Sequence, residues 1–187
     1  ASPWLRVPPQ KYGGTERIIY YLTEELVKMG HEVTLFASGD SRTSAHLSAI
    51  YPRSLYQQGV AWSETYYDNA HLFKAFSHAR EFDIIHSHIG GNYEVVGMGA
   101  LTMTPAVYTF HGELPERRER SGKKFFLDQF KKTNFVSISN SQRNNLDLHF
   151  VDTVYNGIDI GEFKFSARGG NDLVFLGRIT PKKGIIE

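Results

Sequence analysis

Residues 15–37, TERIIYYLTEELVKMGHEVTLFA, change their apolar period in mid-stretch, and that change decides the fold. Ile18, Leu22 and Leu26 recur at i, i+4 and i+8, with Ile19 and Val27 widening the stripe, as an amphipathic helix requires. Gly30 stands where a helix stop belongs. Residues 32–37 (EVTLFA) then read as a buried strand, and Ser38-Gly39-Asp40 as the turn after it. The same alternation runs outward along the chain. It predicts a strand near 47–51, a helix over 66–80, a strand at 83–86 and a helix over 93–103. Further on it predicts strands at 106–110, 134–138, 152–155 and 172–176, with helices over 123–132 and 140–148. Strands separated by helices imply parallel pairing, because a parallel neighbour needs a crossover connection. The expected class is therefore α/β, a Rossmann-like parallel sheet flanked by helices. The pattern also demands a strand ahead of Gly13, and residues 1–12, with Pro3, Pro8 and Pro9, supply none. The first strand is expected to be missing from this stretch of chain.

Composition narrows the class of function. Lys plus Arg number 21 and Asp plus Glu 20, a net charge of +1, which speaks against a dedicated nucleic-acid binder. The hydrophobic fraction of 41% and aromatic fraction of 13% suffice for a core. With no Cys, there are no disulfides, thiolate metal sites or cysteine nucleophiles. No apolar run approaches the ~18 residues of a membrane span, and the first residues lack the pattern of a signal peptide. A cytoplasmic location is expected. The linker-like stretch 166–171 (SARGGN) places a domain boundary near 168, so 1–168 reads as one domain and 169–187 as the start of another.

In open parallel sheets, ligands bind beyond the carboxyl ends of the strands. Just past the expected strands stand His86-Ser-His88-Ile-Gly90-Gly91, His111-Gly112-Glu113, Ser139-Asn140-Ser141, Asn156-Gly157-Ile158-Asp159 and Gly177-Arg178. Gly13-Gly14-Thr15-Glu16 opens a helix on the same edge, where free N–H groups and the dipole end favour an anion. A plain tight turn is the alternative there. His86 and His88 have the HxH spacing of some metallohydrolases, yet no acid and third His continue it, and a packed pair is the better reading. His111 is followed directly by Gly112, which leaves room for a ligand beside the ring. Arg178 and Lys183 flank a short turn after an apolar strand, a pairing of guanidinium fork and point charge suited to a diphosphate. The stretch 123–132 mixes basic residues with Phe125, Phe126 and Phe130: core docking is the plainer reading, contact with an anionic membrane surface the sharper one.

These pieces occur in a familiar order. Gly13-Gly14-Thr-Glu16 opening a helix, Thr-Phe-His111-Gly112, Ser-Ile-Ser-Asn-Ser, Val-Tyr-Asn156-Gly157-Ile-Asp159 and Phe-Leu-Gly177-Arg178 with Lys183-Gly184 resemble family 4 retaining glycosyltransferases of the GT-B fold. That resemblance implies two Rossmann-like domains with the active site in the cleft between them. Residues 1–168 would be the N-terminal, acceptor-side domain, and 169–187 the first strand and phosphate turn of the donor-binding domain. By the same resemblance His111 contacts the transferred sugar as the catalytic histidine. Gly13, Gly14, Arg178 and Lys183 serve the donor phosphates, and Glu16, His88, Gly112, Glu113, Ser139 and Asn156 line the acceptor side of the cleft. Asn156 and Asp159 match the interdomain segment, where a turn with a helix cap reads equally well. The implied substrates are a nucleotide sugar and a carbohydrate, lipid or small-molecule acceptor, with no metal or other cofactor. The family's paired-glutamate motif does not occur in these residues, so the chain alone is expected not to transfer sugar. Two other classes stay open: a non-catalytic α/β domain binding a small anion, and a metal-dependent hydrolase using His86, His88 and His111.

Overall fold

The computed structural model describes every residue except 144–145, 178, 181–182 and 185–187. Helix α1 (Gly14–Lys28) leads into β1 (Thr34–Phe36), which pairs in parallel with β2 (His46–Ser48) through an irregular connection. Helix α2 (Tyr66–Ser77) then precedes a second sheet. Its strands are β3 (Ile85–Ile89), β4 (Ala106–Phe110), β5 (Asn134–Ser137) and β6 (Phe150–Thr153), in spatial order β3-β4-β5-β6 and all parallel. Helix α3 (Glu94–Gly99) crosses from β3 to β4, and α4 (Gly122–Gln129) from β4 to β5. The architecture is α/β and Rossmann-like, as the alternation of periods predicts.

The core explains why the larger sheet holds. Tyr108, Phe110 and Phe135 are sealed from water, with Ile89, Val95, Val96, Leu114 and Leu127 around them. Phe110 and Phe135 stack at 5.0 Å between centroids, an arrangement that adds to the burial term. Each such side chain contributes on the order of 1.5–3 kcal/mol by leaving water. A smaller cluster of Val7, Ile19, Leu35 and Ala37 fastens α1 to β1. Residues 1–9 lie along this cluster: the Ala1 amino group donates to the Phe36 carbonyl, and Val7 N–H to the Ser41 hydroxyl.

Several element bounds differ from those read in the sequence. The strand expected at 83–86 begins at Ile85 and runs to Ile89, because register with β4 matches five residues against five, Ile85 to Ala106 through Ile89 to Phe110. His86 and His88 thus lie within the strand rather than beyond it. The helix expected over 93–103 stops at Gly99, after two glycines in three residues. Of the helix expected over 140–148, the described part is a 3₁₀ turn, Ser141–Arg143. The apolar run 172–176 forms no strand among the described residues, and Leu173, Val174 and Leu176 are fully exposed. A strand exists through its ladder, and no neighbour among the described residues offers one here.

Candidate functional site

The ladder between β3 and β4 continues one residue past its end, where His111 N–H donates to the Ile89 carbonyl at 2.9 Å. This bond fixes His111 at the carboxyl edge of the sheet, directly beside the end of β3. Side chains two apart on a strand share a face, so His86 and His88 stack at 4.3 Å between ring centroids, and His88 stacks on His111 at 5.1 Å. His88 Nδ1 and His111 Nε2 are 2.8 Å apart and share one proton in a hydrogen bond. His86 Nε2 bonds the Thr109 hydroxyl at 2.8 Å. His111 therefore keeps only Nδ1 for a ligand.

Burial sets the charge of this pair. Loss of water lowers the His111 pKa to about 4, with the neighbouring His86 adding to the effect. The same desolvation, then the adjacent His86 and His111 rings, holds His88 well below the ordinary histidine range. Both rings are neutral near pH 7, so His111 offers a neutral hydrogen-bonding nitrogen rather than a positive charge. Among the described residues no group of three or more His, Asp or Glu is arranged to hold a metal ion.

Around His111 the loops close tightly. A Cβ on Gly112 would stand 3.1 Å from the Gly90 carbonyl oxygen, which accounts for glycine at that position. Tyr93 O–H reaches the Glu113 carbonyl at 3.5 Å, and the Glu113 side chain is exposed. Past β5, the Ser139 hydroxyl accepts from Gln142 N–H at 3.2 Å and caps the 3₁₀ turn. The Gln142 amide in turn donates from Nε2 to the Phe110 carbonyl at 3.0 Å and the Gly112 carbonyl at 2.8 Å. Its Oε1 accepts from Ile138 N–H at 2.8 Å. Gln142 was not singled out from sequence, although Ser139-x-x-Gln142 has the spacing of a capping box, which would have flagged it.

The glycine loop before α1 is built differently. Gly13 has φ of +149°, and a Cβ there would stand 2.6 Å from Pro9 Cβ and 2.9 Å from Glu16 Oε2. Glycine is thus required by the turn itself. The Glu16 carboxylate is buried against this turn, and burial raises its pKa while its own backbone N–H opposes the rise. Gly14 has open space where its Cβ would be.

The remaining candidates lie apart from this cluster. Asn156 is exposed in the segment after β6, and Asp159 accepts from Gly161 N–H to cap a 3₁₀ turn, Ile160–Glu162. That turn is tied to α1 by Tyr21 O–H donating to Glu162 at 2.7 Å. Lys183 is exposed, and Arg178 lies outside the described residues. In α4, Phe126, Leu127 and Phe130 face the core, with the Phe126 ring 3.3 Å from where a Gly97 Cβ would stand, while Phe125 is exposed. Core docking accounts for this helix. Among the described residues no helix is long and apolar enough to cross a membrane. Two surface hollows, one lined by residues 128–133 ahead of β5 and the other by the starts of β1 and β2, lie at the amino ends of those strands.

A parallel α/β domain with His111, Gly112 and Ser139 at the carboxyl edge of its larger sheet is the class defined by this geometry. The family model for Glycosyltransferase Family 4 matches residues 12–162, from the glycine loop through the 3₁₀ turn after β6. The chain belongs to that family. Comparison with the curated proteins finds no match.

Proposed function

We propose that this domain supplies the acceptor side of an enzyme that moves a sugar from a nucleotide-activated donor, with retention of configuration at the transferred carbon. The observation that carries the reading is His111: a neutral ring fixed at the carboxyl edge of the sheet, with Nε2 committed to His88 and Nδ1 left over. A neutral imidazole nitrogen suits a sugar hydroxyl, which offers both donor and acceptor. It does not suit the diphosphate, whose charge grows as the sugar–oxygen bond breaks and calls for cations. Arg178 and Lys183 would meet that demand, and Gly14 leaves the start of α1 open to the phosphates. The leaving phosphate oxygen, on the same face as the incoming hydroxyl, would take the acceptor proton, which gives retention without a protein nucleophile.

The anion-binding alternative is weaker at this edge. His88 and His111 are neutral and the Glu16 carboxylate is folded onto Gly13, so the described strand-end residues supply little positive charge.

The test is titration of the ¹⁵N-labelled chain with UDP, GDP and ADP, each alone and as the glucose conjugate. The expected result is saturable shifts at Gly14, Gly112 and the His111 ring, with the ring responding to the conjugate more than to the bare diphosphate. Equal ring responses to diphosphate and conjugate would favour simple anion binding. No localised response to any of the six ligands would overturn both readings.

A further inference from the structure

At the carboxyl edge, the Gln142 side chain makes three hydrogen bonds to backbone groups. Two of its acceptors, the Phe110 and Gly112 carbonyls, lie on either side of His111. They come from the exit of β4, whereas the donor to Gln142, Ile138 N–H, comes from the exit of β5. One primary amide has two N–H donors and one carbonyl, and here all of them are used. The orientation of the amide is fixed by this set, because two carbonyls need the NH₂ and an N–H needs the oxygen.

We propose that Gln142 is a positioning residue for His111, a clamp that bolts the β4 exit to the β5 exit and sets where the His111 ring stands. The inference rests on the reading of His111 as the sugar-contacting histidine. The backbone of His111 is held on three sides: its N–H by Ile89, and the carbonyls before and after it by Gln142. With φ and ψ thus restrained, the ring meets His88 Nδ1 at 2.8 Å and is restricted to a single hydrogen-bonded geometry. Release of the two carbonyls would free the loop at Gly112, where no side chain resists rotation. The ring would then part from His88 and sample both tautomers. Gln142 itself touches neither ring; its action runs through the main chain.

Glutamate at 142 keeps the length and the acceptor for Ile138 N–H, yet at neutral pH it has no hydrogen to give either carbonyl. Methionine keeps the volume and lacks both functions. The experiment records long-range ¹H–¹⁵N spectra of the histidine rings in the wild-type chain, Gln142→Glu and Gln142→Met, with thermal unfolding of each. The expected wild-type signature is a single-tautomer pattern for His111 and His88, replaced in both variants by averaged nitrogen shifts for His111. The His71 signals should stay in place. A folded variant that keeps the wild-type His111 pattern overturns the clamp, whatever happens to its melting temperature. Should neither variant fold, the wild-type chain decides through its side-chain amides. Clamped Gln142 NH₂ protons should exchange at least ~10-fold more slowly than those of exposed Gln57, as closed hydrogen bonds require. Equal exchange rates overturn the proposal. Titration with UDP-glucose separates the two readings: an intact wild-type signature with no ring response strikes the sugar-transfer reading and leaves the clamp standing.

Discussion

His111 and Gly13 both sit in glycine-bearing turns, but they are held by different kinds of contact. His111 is fixed by Ile89, His88 and Gln142, which are 22, 23 and 31 residues away along the chain. At Gly13 the atoms that leave no room for a side chain belong to Pro9 and Glu16, four and three residues away. The first turn depends on three strands lying side by side. At the second, the atoms that crowd Gly13 come from a single stretch of eight residues, with the Glu16 carboxylate folded onto Gly13 and the space beside Gly14 open. A turn held from afar can present an unspent group such as His111 Nδ1, because the bonds that fix it come from elsewhere. A turn held by its own neighbours spends its polar groups on itself.

The largest test of this contrast is Phe135→Ala. Phe135 is sealed beneath the β4 exit and stacked on Phe110, so its removal should cost about 3–5 kcal/mol in denaturant unfolding. It should also blur the His111 ring signals in the protein that still folds, while amide signals at Gly13 and Gly14 stay in place. Equal disturbance at both turns would erase the distinction.

Gly13→Ala comes next. A positive φ and the contact with Pro9 predict a loss of ~1–3 kcal/mol. The His88–His111 pattern should survive, since the hydrogen bond between those rings lies within β3 and the β4 exit. A thermal scan showing no change would mean that Pro9 gives way freely.

Acid should act on the histidine edge in particular. The folded His111 pKa lies near 4, below its ordinary 6.5, so the unfolded chain binds the proton first as pH falls. Stability is then full above about 6.5 and declines as pH drops toward about 4. Buried His71, also lowered to about 4 by desolvation, adds to the slope. The melting temperature of His111→Gln should fall less steeply over this window than that of the wild type. Parallel curves would remove His111 from the acid response.

The smallest effect is expected at Gly14. With nothing near its absent Cβ, Gly14→Ala should leave stability unchanged or raise it by about 0.4–1 kcal/mol through the unfolded chain. Lost nucleotide binding with intact stability would single out Gly14 as a ligand position.

Much of the fold was legible because its signals are periodic and local. The stripe of Ile18, Leu22 and Leu26 and the following EVTLFA run gave α1 and β1 to within two residues. The run AVYTF gave β4 without error, since its apolar residues are bounded by Pro105 and His111. The misplaced strand bounds have one cause, whereas α3 ends early for a local one, its two glycines. Strand β3 takes its length from β4, and the run 172–176 has the composition of a strand but no ladder to join. The site divides the same way. His111 and Gly112 stood out because a polar residue and a glycine follow a strand directly. Gln142 did not stand out, because its role depends on carbonyls 30 and 32 residues earlier in the chain.

By itself, then, the sequence determined that strands and helices alternate, that the sheet is parallel and that His111 and Gly112 directly follow a strand. These follow from side-chain period and from the covalent need for crossovers. Tertiary structure decided what each polar group is free to do. Only when β3, β4 and β5 lie side by side does His88 take one nitrogen of His111, and only then does Gln142 reach the carbonyls on either side of it. Hydrogen bonds act over about 3 Å, and that proximity comes from the fold, not from spacing along the chain.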